Sequence, residues 1–203
     1  MGPLQTVAVG PSEAVALTEG ALFAVVLGSL VGGAINIPVA RLPGKATRSV
    51  QEVEIFGVRC RLPIVREVTP TTLAVNVGGA VIPAAMSVVL MVNDSIWWPS
   101  AAGVAFVAVL VHLIARPVEG VGIAIPGLIP PVLAAGIALV VAPHLAAPVA
   151  YVSGSLGTLV GADLLNLRKL SSLGGGVASI GGAGTFDGVF LTGIAAVLLV
   201  AIA

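Results

Sequence analysis

Long apolar runs separated by short polar segments make up most of the chain. The hydrocarbon core of a bilayer requires roughly 20 mostly apolar residues per helix, because each helical residue advances about 1.5 Å. The pattern therefore predicts a single transmembrane domain over 1–203, an all-α integral membrane bundle of six helices. These helices are predicted near 14–40, 70–92, 98–116, 126–143, 147–167 and 180–203.

The longest polar interruption, residues 41–69, predicts a short β-hairpin between the first two helices. Ser49–Ile55 and Val58–Val65 are rich in β-branched and apolar residues, and they flank Phe56-Gly57, which suits a two-residue turn. Two roles are left open for this hairpin. It is a structural flap, or its free strand edge captures an extended peptide.

The amino-acid composition of the chain excludes several classes of protein. Hydrophobic residues make up 58% of the chain and charged residues 9%, whereas a soluble domain carries about a quarter charged residues. A soluble enzyme and a disordered chain are therefore excluded, and the net charge of +0 gives no attraction to nucleic acid. Cys60 is the single cysteine, so no internal disulfide is expected. We expect membrane lipids as partners, no nucleic acid, no cofactor and no metal, and a homo-oligomer is left open.

The basic residues predict the orientation of the chain. All nine fall in three predicted loops, namely Arg41, Lys45, Arg48, Arg59, Arg61, Arg66, Arg116, Arg168 and Lys169. With six helices these are alternate loops, so the positive-inside rule makes their side cytoplasmic and places both termini outside. Residues 1–20 contain no Lys or Arg and so lack the basic region of a signal peptide. The short loops suit a multi-pass protein of a prokaryotic inner membrane.

Two acidic residues, Asp163 and Asp187, lie within the predicted spans, where no Lys or Arg is available to pair with them. An ionisable residue inside a membrane is a functional-site candidate, because its insertion costs about 2.5–3.5 kcal/mol or more. If the fifth and sixth helices are adjacent, the two carboxyls lie at similar depth near the cytoplasmic side. Two such carboxyls share one proton, which provides an acid and a base together.

Structural alternatives exist for both aspartates. Asp187 suits the N-cap of a shorter helix that starts at Gly188. Asp163 suits a structural hydrogen bond to a neighbouring helix or to Asn166. On the same helix, Ser153, Gly157 and Gly161 form a ridge of small residues on a different side from Asp163, which predicts close neighbours on two faces and a central position.

Further polar or flexible positions are grouped in the predicted cytoplasmic half. Asn36, Asn76 and His112 suit a water-accessible cavity, and each also suits a simple interhelical hydrogen bond. Gly182 and Gly184 belong to a glycine-rich stretch that suits a loop, a hinge or a substrate gate. His112 and the aspartates lack the spacing of a zinc protease. A serine protease is also disfavoured, because Ser155 lacks the expected motif.

The chain resembles a bacterial and archaeal family of polytopic membrane proteins of unknown function. The residues that carry this likeness include Val160–Leu165, Gly181–Gly188, Asn76–Gly79 and Ile125–Pro131. A looser resemblance is to presenilin and signal peptide peptidase, which carry one catalytic aspartate within a helix and a second in a Gly-x-Gly-Asp motif. Here two residues separate Gly182-x-Gly184 from Asp187.

This second resemblance implies an intramembrane aspartyl protease with Asp163 and Asp187 as its catalytic dyad and a transmembrane segment as its substrate. One rival interpretation is a transporter or channel that uses the same carboxyls to couple protons or cations. Another is a membrane scaffold without catalysis, in which the carboxyls bond only to the backbone.

Overall fold

The computed structural model describes residues 23–42, 47–55, 58–66, 70–118, 122–170, 176–182 and 188–203. Helices predominate in this part of the chain. They are α1 (Phe23–Gly32), α2 (Ile82–Asn93), α3 (Trp97–Ile114), α4 (Ile129–Val141), α5 (Ala146–Thr158), α6 (Leu167–Leu170) and α7 (Gly188–Ala201). A π turn, Val77–Val81, leads into α2, and a 3-10 turn, Pro143–Leu145, leads into α5. A second π turn, Leu159–Asp163, and a 3-10 turn, Leu164–Asn166, connect α5 to α6.

The described residues also form strands. They are β1 (Asn36–Leu42), β2 (Thr47–Ile55), β3 (Val58–Arg66), β4 (Thr71–Asn76), β5 (Arg116–Val118), β6 (Gly122–Ala124) and β7 (Gly176–Ile180). A three-stranded sheet has the order β1-β4-β7. β1 runs antiparallel to β4, with Asn36 opposite Asn76, and β7 runs parallel to β4, with Thr71 opposite Gly176. This sheet places the ends of three distant segments beside the start of α2.

The prediction of an all-α membrane domain is wrong for three segments that were assigned to helices. Residues 36–40 belong to β1, residues 71–76 belong to β4, and Ile180 belongs to β7. The spans were placed by total hydropathy, which does not separate a buried apolar strand from a helix. The β-branched residues at 71, 72 and 75 favour an extended backbone.

The two strands of the predicted hairpin are confirmed. β2 and β3 pair antiparallel from Thr47 opposite Arg66 to Ile55 opposite Val58. The Phe56-Gly57 turn lies outside the described residues. A further short antiparallel pair, β5 and β6, follows α3.

Two helices in the described part of the chain are long and apolar enough to cross a membrane. They are Trp97–Ile114, with 18 residues, and Pro143–Asn166, with 24 residues, and they match the third and fifth predicted spans. The other apolar helices are shorter, namely Phe23–Gly32, Val77–Asn93, Ile129–Val141 and Gly188–Ala201. Six full-length spans are therefore not confirmed.

α5 occupies the centre of the helix bundle, as its ridge of small residues predicts. A β-carbon on Gly157 would lie 2.7 Å from the Cβ of Val107 on α3, and one on Gly161 would collide with the carbonyl oxygen of Ala108. These glycines let the backbones of α3 and α5 approach closely.

A different face of α5 contacts two other helices. A β-carbon on Gly154 would lie 3.2 Å from Thr192 of α7 and 3.4 Å from Ala134 of α4. The core between these helices consists largely of small residues, such as Ala134, Ala138, Ala150 and Ala196. α5 therefore has close neighbours on more than one side.

Large apolar side chains lie on the outside of this bundle. Trp98 at the start of α3 is 86% exposed and Val140 on α4 is 78% exposed. Others with exposed side chains include Phe23, Val31, Val92, Trp97, Leu113, Leu128, Leu198 and Ile202. The helices thus place small residues inside and large apolar residues outside.

Candidate functional site at the junction of sheet and helices

Asn76 joins the end of β4 to the π turn that leads into α2. Its side chain is fully buried, and both its amide nitrogen and its amide oxygen have hydrogen-bond partners. The Nδ2 amide donates to the carbonyl oxygen of Gly33 at 2.7 Å and to Oδ1 of Asn36 at 3.1 Å, while Oδ1 accepts the N–H of Gly79 at 2.7 Å. An asparagine is suited to this position because its side chain both donates and accepts.

Asn36 connects all three strands of the sheet. Besides the bond from Asn76, its Oδ1 accepts a hydrogen bond from the Ser179 hydroxyl at 2.5 Å. Ser179 lies on β7, two residues before the segment that contacts Asp163. The sequence analysis missed Ser179, because a single serine in an apolar stretch carries no signal without the strand pairing.

Gly181 connects the end of β7 to Asp163. Its N–H donates to Oδ2 of Asp163 at 2.7 Å. The φ angles of Gly181 and Gly182 are +83° and +80°, which glycine adopts readily. A β-carbon on Gly181 would lie 2.7 Å from both Cβ and N of Ala80. The chain therefore turns sharply against the start of α2 and directs an N–H group at the carboxylate.

Asp163 is the last residue of the π turn that follows α5. The N–H of Leu164 bonds to the carbonyl oxygen of Leu159, five residues earlier, which is the bond that defines a π turn. The Nδ2 amide of Asn166 donates to the carbonyl oxygens of Gly161 and Ala162, both at 2.9 Å. Asn166 thus stabilises the irregular backbone, and both of its amide hydrogens are used there rather than on Asp163.

We call Asn36, Asn76, Asp163, Ser179 and Gly181 the junction cluster. Asp163 and Asn76, both predicted as site residues, are brought to it by different contacts: Asn76 through Asn36 and Ser179, and Asp163 through Gly181. Asn76 is buried and Asp163 is half-buried. The cluster therefore combines a carboxylate with a rigid polar support.

The predicted partner of Asp163 lies outside the described residues. Asp187 and Gly184 belong to the stretch 183–187, so their distance from Asp163 stays a prediction. α7 begins at Gly188, and Val189 packs in one apolar cluster with Leu159 and Ile180. The chain on both sides of this stretch is thus close to the junction cluster.

His112 lies apart from the hydrogen bonds of the junction cluster. It belongs to the last turn of α3, next to Val111, which faces Gly161 of the π turn. Its Nδ1 atom is buried and has no hydrogen-bond partner among the residues that the structure describes. Within those residues, no three His, Cys, Asp or Glu side chains are grouped as a metal site requires. The geometry gives His112 no role in the cluster.

Chemically, the junction cluster offers one carboxylate at a break between two helical segments. The Gly181 N–H fixes the orientation of this carboxylate, and the two chain segments that this bond joins also carry Leu159 and Ile180 of one apolar cluster. A carboxylate in such a site can act as an acid or a base toward a polar group that approaches it.

The junction cluster lies within a region of the chain that matches a known protein family. The family model of the proteins of unknown function called DUF1614 matches residues 30–199. The chain belongs to the DUF1614 family. The match confirms the resemblance to a family of unknown function, and it includes every residue of the junction cluster as well as Asp187.

No curated protein and no solved structure matches this DUF1614 chain. The comparisons therefore add no support to the looser resemblance to presenilin and signal peptide peptidase. Membership of DUF1614 assigns no activity, so function has to be argued from the junction cluster itself.

Proposed function

We propose that this DUF1614 chain is a multi-pass protein of a prokaryotic inner membrane. The distribution of its side chains supports this. Helix contacts in membranes rely on small residues, because apolar side chains gain nothing by leaving lipid for the protein interior. Here Gly157 and Gly161 pack against α3, while Trp98, Val140 and Ile202 are exposed. In water such a surface would aggregate.

We propose further that the protein is an intramembrane aspartyl protease, with Asp163 and Asp187 as its dyad. The observation that carries this proposal is the position of Asp163 beside the segment that leads to Asp187, which the 2.7 Å hydrogen bond from Gly181 N–H to Asp163 Oδ2 fixes. This bond joins the helix that bears the first aspartate to the segment that leads, six residues later, to the second. The positive φ angles of Gly181 and Gly182 bend the chain just before residues 183–187, which lie outside the described residues. A carboxyl bonded to the backbone is also what the scaffold predicts, so the variants below decide between the two.

In the proposed reaction, the two carboxyls hold one proton between them. The ionised carboxyl takes a proton from water, whose oxygen adds to the carbonyl carbon of the substrate, and the protonated carboxyl gives its proton to the carbonyl oxygen. The carbon–nitrogen bond then breaks, the amine leaves with a proton, and the dyad returns to its original state. The substrate is a membrane-spanning segment that unwinds near the cytoplasmic face.

The supporting residues have distinct roles in this proposal. Asn76 and Asn36 hold β1, β4 and β7 in register, so that Gly181 is presented to Asp163. Gly182 allows the sharp turn after Gly181, and Gly184, which lies outside the described residues, stays a predicted member of the glycine-rich stretch. These residues position the carboxylate, while the chemistry belongs to the aspartates.

The test uses purified protein in lipid vesicles with a set of single-span model substrates. Asp163→Asn and Asp187→Asn should each lower the cleavage rate by about 10²–10⁴-fold, as expected for loss of a general acid or base. Asp94→Asn is the matched control, because Asp94 is an exposed aspartate at the end of α2 and should be dispensable. Thermal unfolding of each variant shows whether the fold is retained.

Three outcomes contradict the protease. One is full cleavage by either dyad variant. Another is absence of cleavage by the wild-type protein across the substrate set. The third is an Asp163→Asn protein that cleaves substrate as fast as Asp94→Asn but unfolds at a much lower temperature. That result would make Asp163 a structural residue of a scaffold.

A further inference from the structure

The β2–β3 hairpin has two unlike faces. Successive residues of a strand alternate between the two faces of a sheet, and directly paired residues share a face. The register from Thr47 opposite Arg66 to Ile55 opposite Val58 therefore assigns every position to one face. We call one of them the apolar face, because it has the positions of Val53, Ile55, Val58, Cys60, Leu62 and Ile64. The polar positions of this face lie toward the open end of the hairpin, where Arg66 is the last.

The opposite face has most of the charged positions of the hairpin, and we call it the charged face. Glu52 is paired with Arg61, and Glu54 with Arg59. Opposite charges at directly paired positions favour the pairing of two strands. The charged face therefore suits water, whereas the apolar face requires a cover, because a two-stranded hairpin is at best marginally stable in water by itself.

The chain that leads into the hairpin has an exposed apolar surface. It begins on α1 with side chains four residues apart and continues at alternate positions at the start of β1, the edge strand of the three-stranded sheet. These exposed residues are Phe23, Leu27, Val31, Ile35, Ile37 and Val39. In the proposed membrane location this surface faces lipid, so β1 carries the chain along the lipid surface to the hairpin.

The loop that contains the hairpin has an excess of positive charge. Residues 41–69 include six of the nine basic residues of the chain and three of its nine acidic residues, which gives this loop a net charge of +3. A bilayer that contains anionic phospholipid has a negative surface potential, which attracts basic segments beside the membrane. Such a bilayer matches both the apolar face and the charge of the loop.

We propose that the apolar face of the β2–β3 hairpin lies on the surface of an anionic phospholipid bilayer, with the charged face toward water. The apolar positions reach the boundary between headgroups and acyl chains, as in other amphipathic segments at interfaces. Because β1 and β4 flank the hairpin in sequence, this contact also holds the sheet at the membrane surface. The proposal rests on the membrane location in the proposed function and does not depend on the protease.

The test uses full-length protein with a fluorophore on the native Cys60, which lies near the middle of β3 on the apolar face. The protein is placed in vesicles of equal amounts of phosphatidylglycerol and phosphatidylcholine. Nitroxide lipids quench a fluorophore at the level of the headgroups, and iodide quenches one in water. An aqueous reagent still reaches Cys60 from the same side, because the contact is at the level of the headgroups.

The matched control is Cys60→Ser/Val50→Cys, which moves the label to the charged face without changing the charge of the hairpin. Quenching by nitroxide lipid should be about threefold or more stronger for the label at position 60 than at position 50, because the two positions lie on opposite faces. Quenching by iodide should show the reverse order. Equal quenching at the two positions overturns the proposal, and thermal unfolding shows whether each protein is folded.

Lipid charge identifies the partner. Vesicles of phosphatidylcholine alone should lower nitroxide quenching of the Cys60 label by about twofold or more, and Arg48→Gln/Arg66→Gln should do the same in anionic vesicles. Arg116→Gln/Arg168→Gln is the control, because it removes the same charge outside the hairpin and should have no effect. Equal quenching of the Cys60 label in neutral and anionic vesicles overturns an anionic bilayer as the partner.

Two further results separate this proposal from the proposed function. A Cys60 label that is shielded from both quenchers would show that the hairpin packs against protein, which overturns the proposal while the membrane location stands. Release of the whole protein from the vesicles by alkaline carbonate would instead contradict the membrane location and this proposal with it. Loss of cleavage in Asp163→Asn leaves the quenching unchanged, because the two proposals concern different residues.

Discussion

At the scale of single residues, the two asparagines of the junction cluster differ in how far water can replace their contacts. Asn76 is fully buried, and its loss would leave the carbonyl of Gly33 and the N–H of Gly79 without partners. Asn36 is exposed, so water can take over its bonds to Asn76 and Ser179. Loss of the amide side chain should therefore destabilise the protein much more at position 76 than at position 36.

We expect Asn76→Ala to lower the free energy of unfolding by about 2–4 kcal/mol, since it removes a helix cap and leaves buried backbone groups unsatisfied. Asn36→Ala should lower it by less than about 1 kcal/mol. Unfolding in mixed micelles with increasing denaturing detergent measures both values. Equal losses at the two positions would contradict the assignment of Asn76 as the structural centre of the cluster.

Sequence reasoning found part of this cluster and missed part of it. Asp163 is visible because a charge inside an apolar run is costly, and Asn76 because it is polar among apolar neighbours. Ser179 is invisible because its importance arises from the pairing of β7 with β4. The face on which Asp163 lies also cannot be computed from the sequence, because the period of 3.6 residues fails at the π turn.

At the scale of elements, α5 shows the clearest correspondence between a sequence pattern and packing. The ridge of Ser153, Gly157 and Gly161 predicts a close neighbour, and α3 occupies that position. Small-residue ridges are reliable signals because they act through the distance between two backbones. Their effect is local and needs no knowledge of the remaining fold.

We expect Gly157→Ala to lower the free energy of unfolding by about 1–3 kcal/mol, because the new methyl group would lie 2.7 Å from the rigid Cβ of Val107. Val107→Gly on α3 removes a fully buried side chain and should be destabilising by itself, but the double variant should lose less stability than the sum of the two single changes. A double-mutant cycle measured by unfolding in mixed micelles gives the coupling energy.

Gly136→Ala on α4 serves as the control for helix propensity. No heavy atom lies within 4 Å of a β-carbon at this position. This variant should be neutral or more stable by up to about 1 kcal/mol. A Gly157→Ala protein as stable as Gly136→Ala would show that α3 and α5 are not in close contact.

The sheet is the element that sequence reasoning did not anticipate. Its strands lie in apolar stretches that continue directly into helices, as β4 does into α2. Apolar content identifies which residues avoid water, but the choice between strand and helix at 71–76 depends on partners supplied by β1 and β7. The β2–β3 hairpin was predictable because its strands are adjacent and share one short turn.

At the scale of the whole molecule, the outside of the helices is more apolar than a water-exposed surface usually is. Apolar side chains such as Trp98, Val140 and Leu128 are exposed, while Ser100, Ser153 and Ser155 are fully buried. The proposed membrane location would account for both observations, because lipid would surround the helices. It would also suit the eight basic residues in the described part of the chain, because these lie outside the apolar helices or at their ends.

The native Cys60 provides a direct test of orientation, because it is the only cysteine. It lies on β3, in the predicted cytoplasmic hairpin. A membrane-impermeant maleimide should label it in inverted inner-membrane vesicles and not in right-side-out vesicles.

The companion variant carries Cys60→Ser together with Asp94→Cys. Asp94 is exposed at the opposite end of α2 from β4. This variant should show the reverse labelling, because the segment Val77–Asn93 separates the two positions. Labelling of both cysteines from the same side would mean that α2 does not cross the membrane.

The parallel pairing of β4 with β7 sets an order for assembly. The two strands are roughly a hundred residues apart in sequence, so the sheet stays incomplete until nearly the whole chain has been synthesised. During synthesis β4 can pair with β1 early, but its second edge has no partner until the helices from α2 to α6 have been made. The carboxylate of Asp163 receives the Gly181 N–H only at this late step, so the junction cluster is completed late in synthesis.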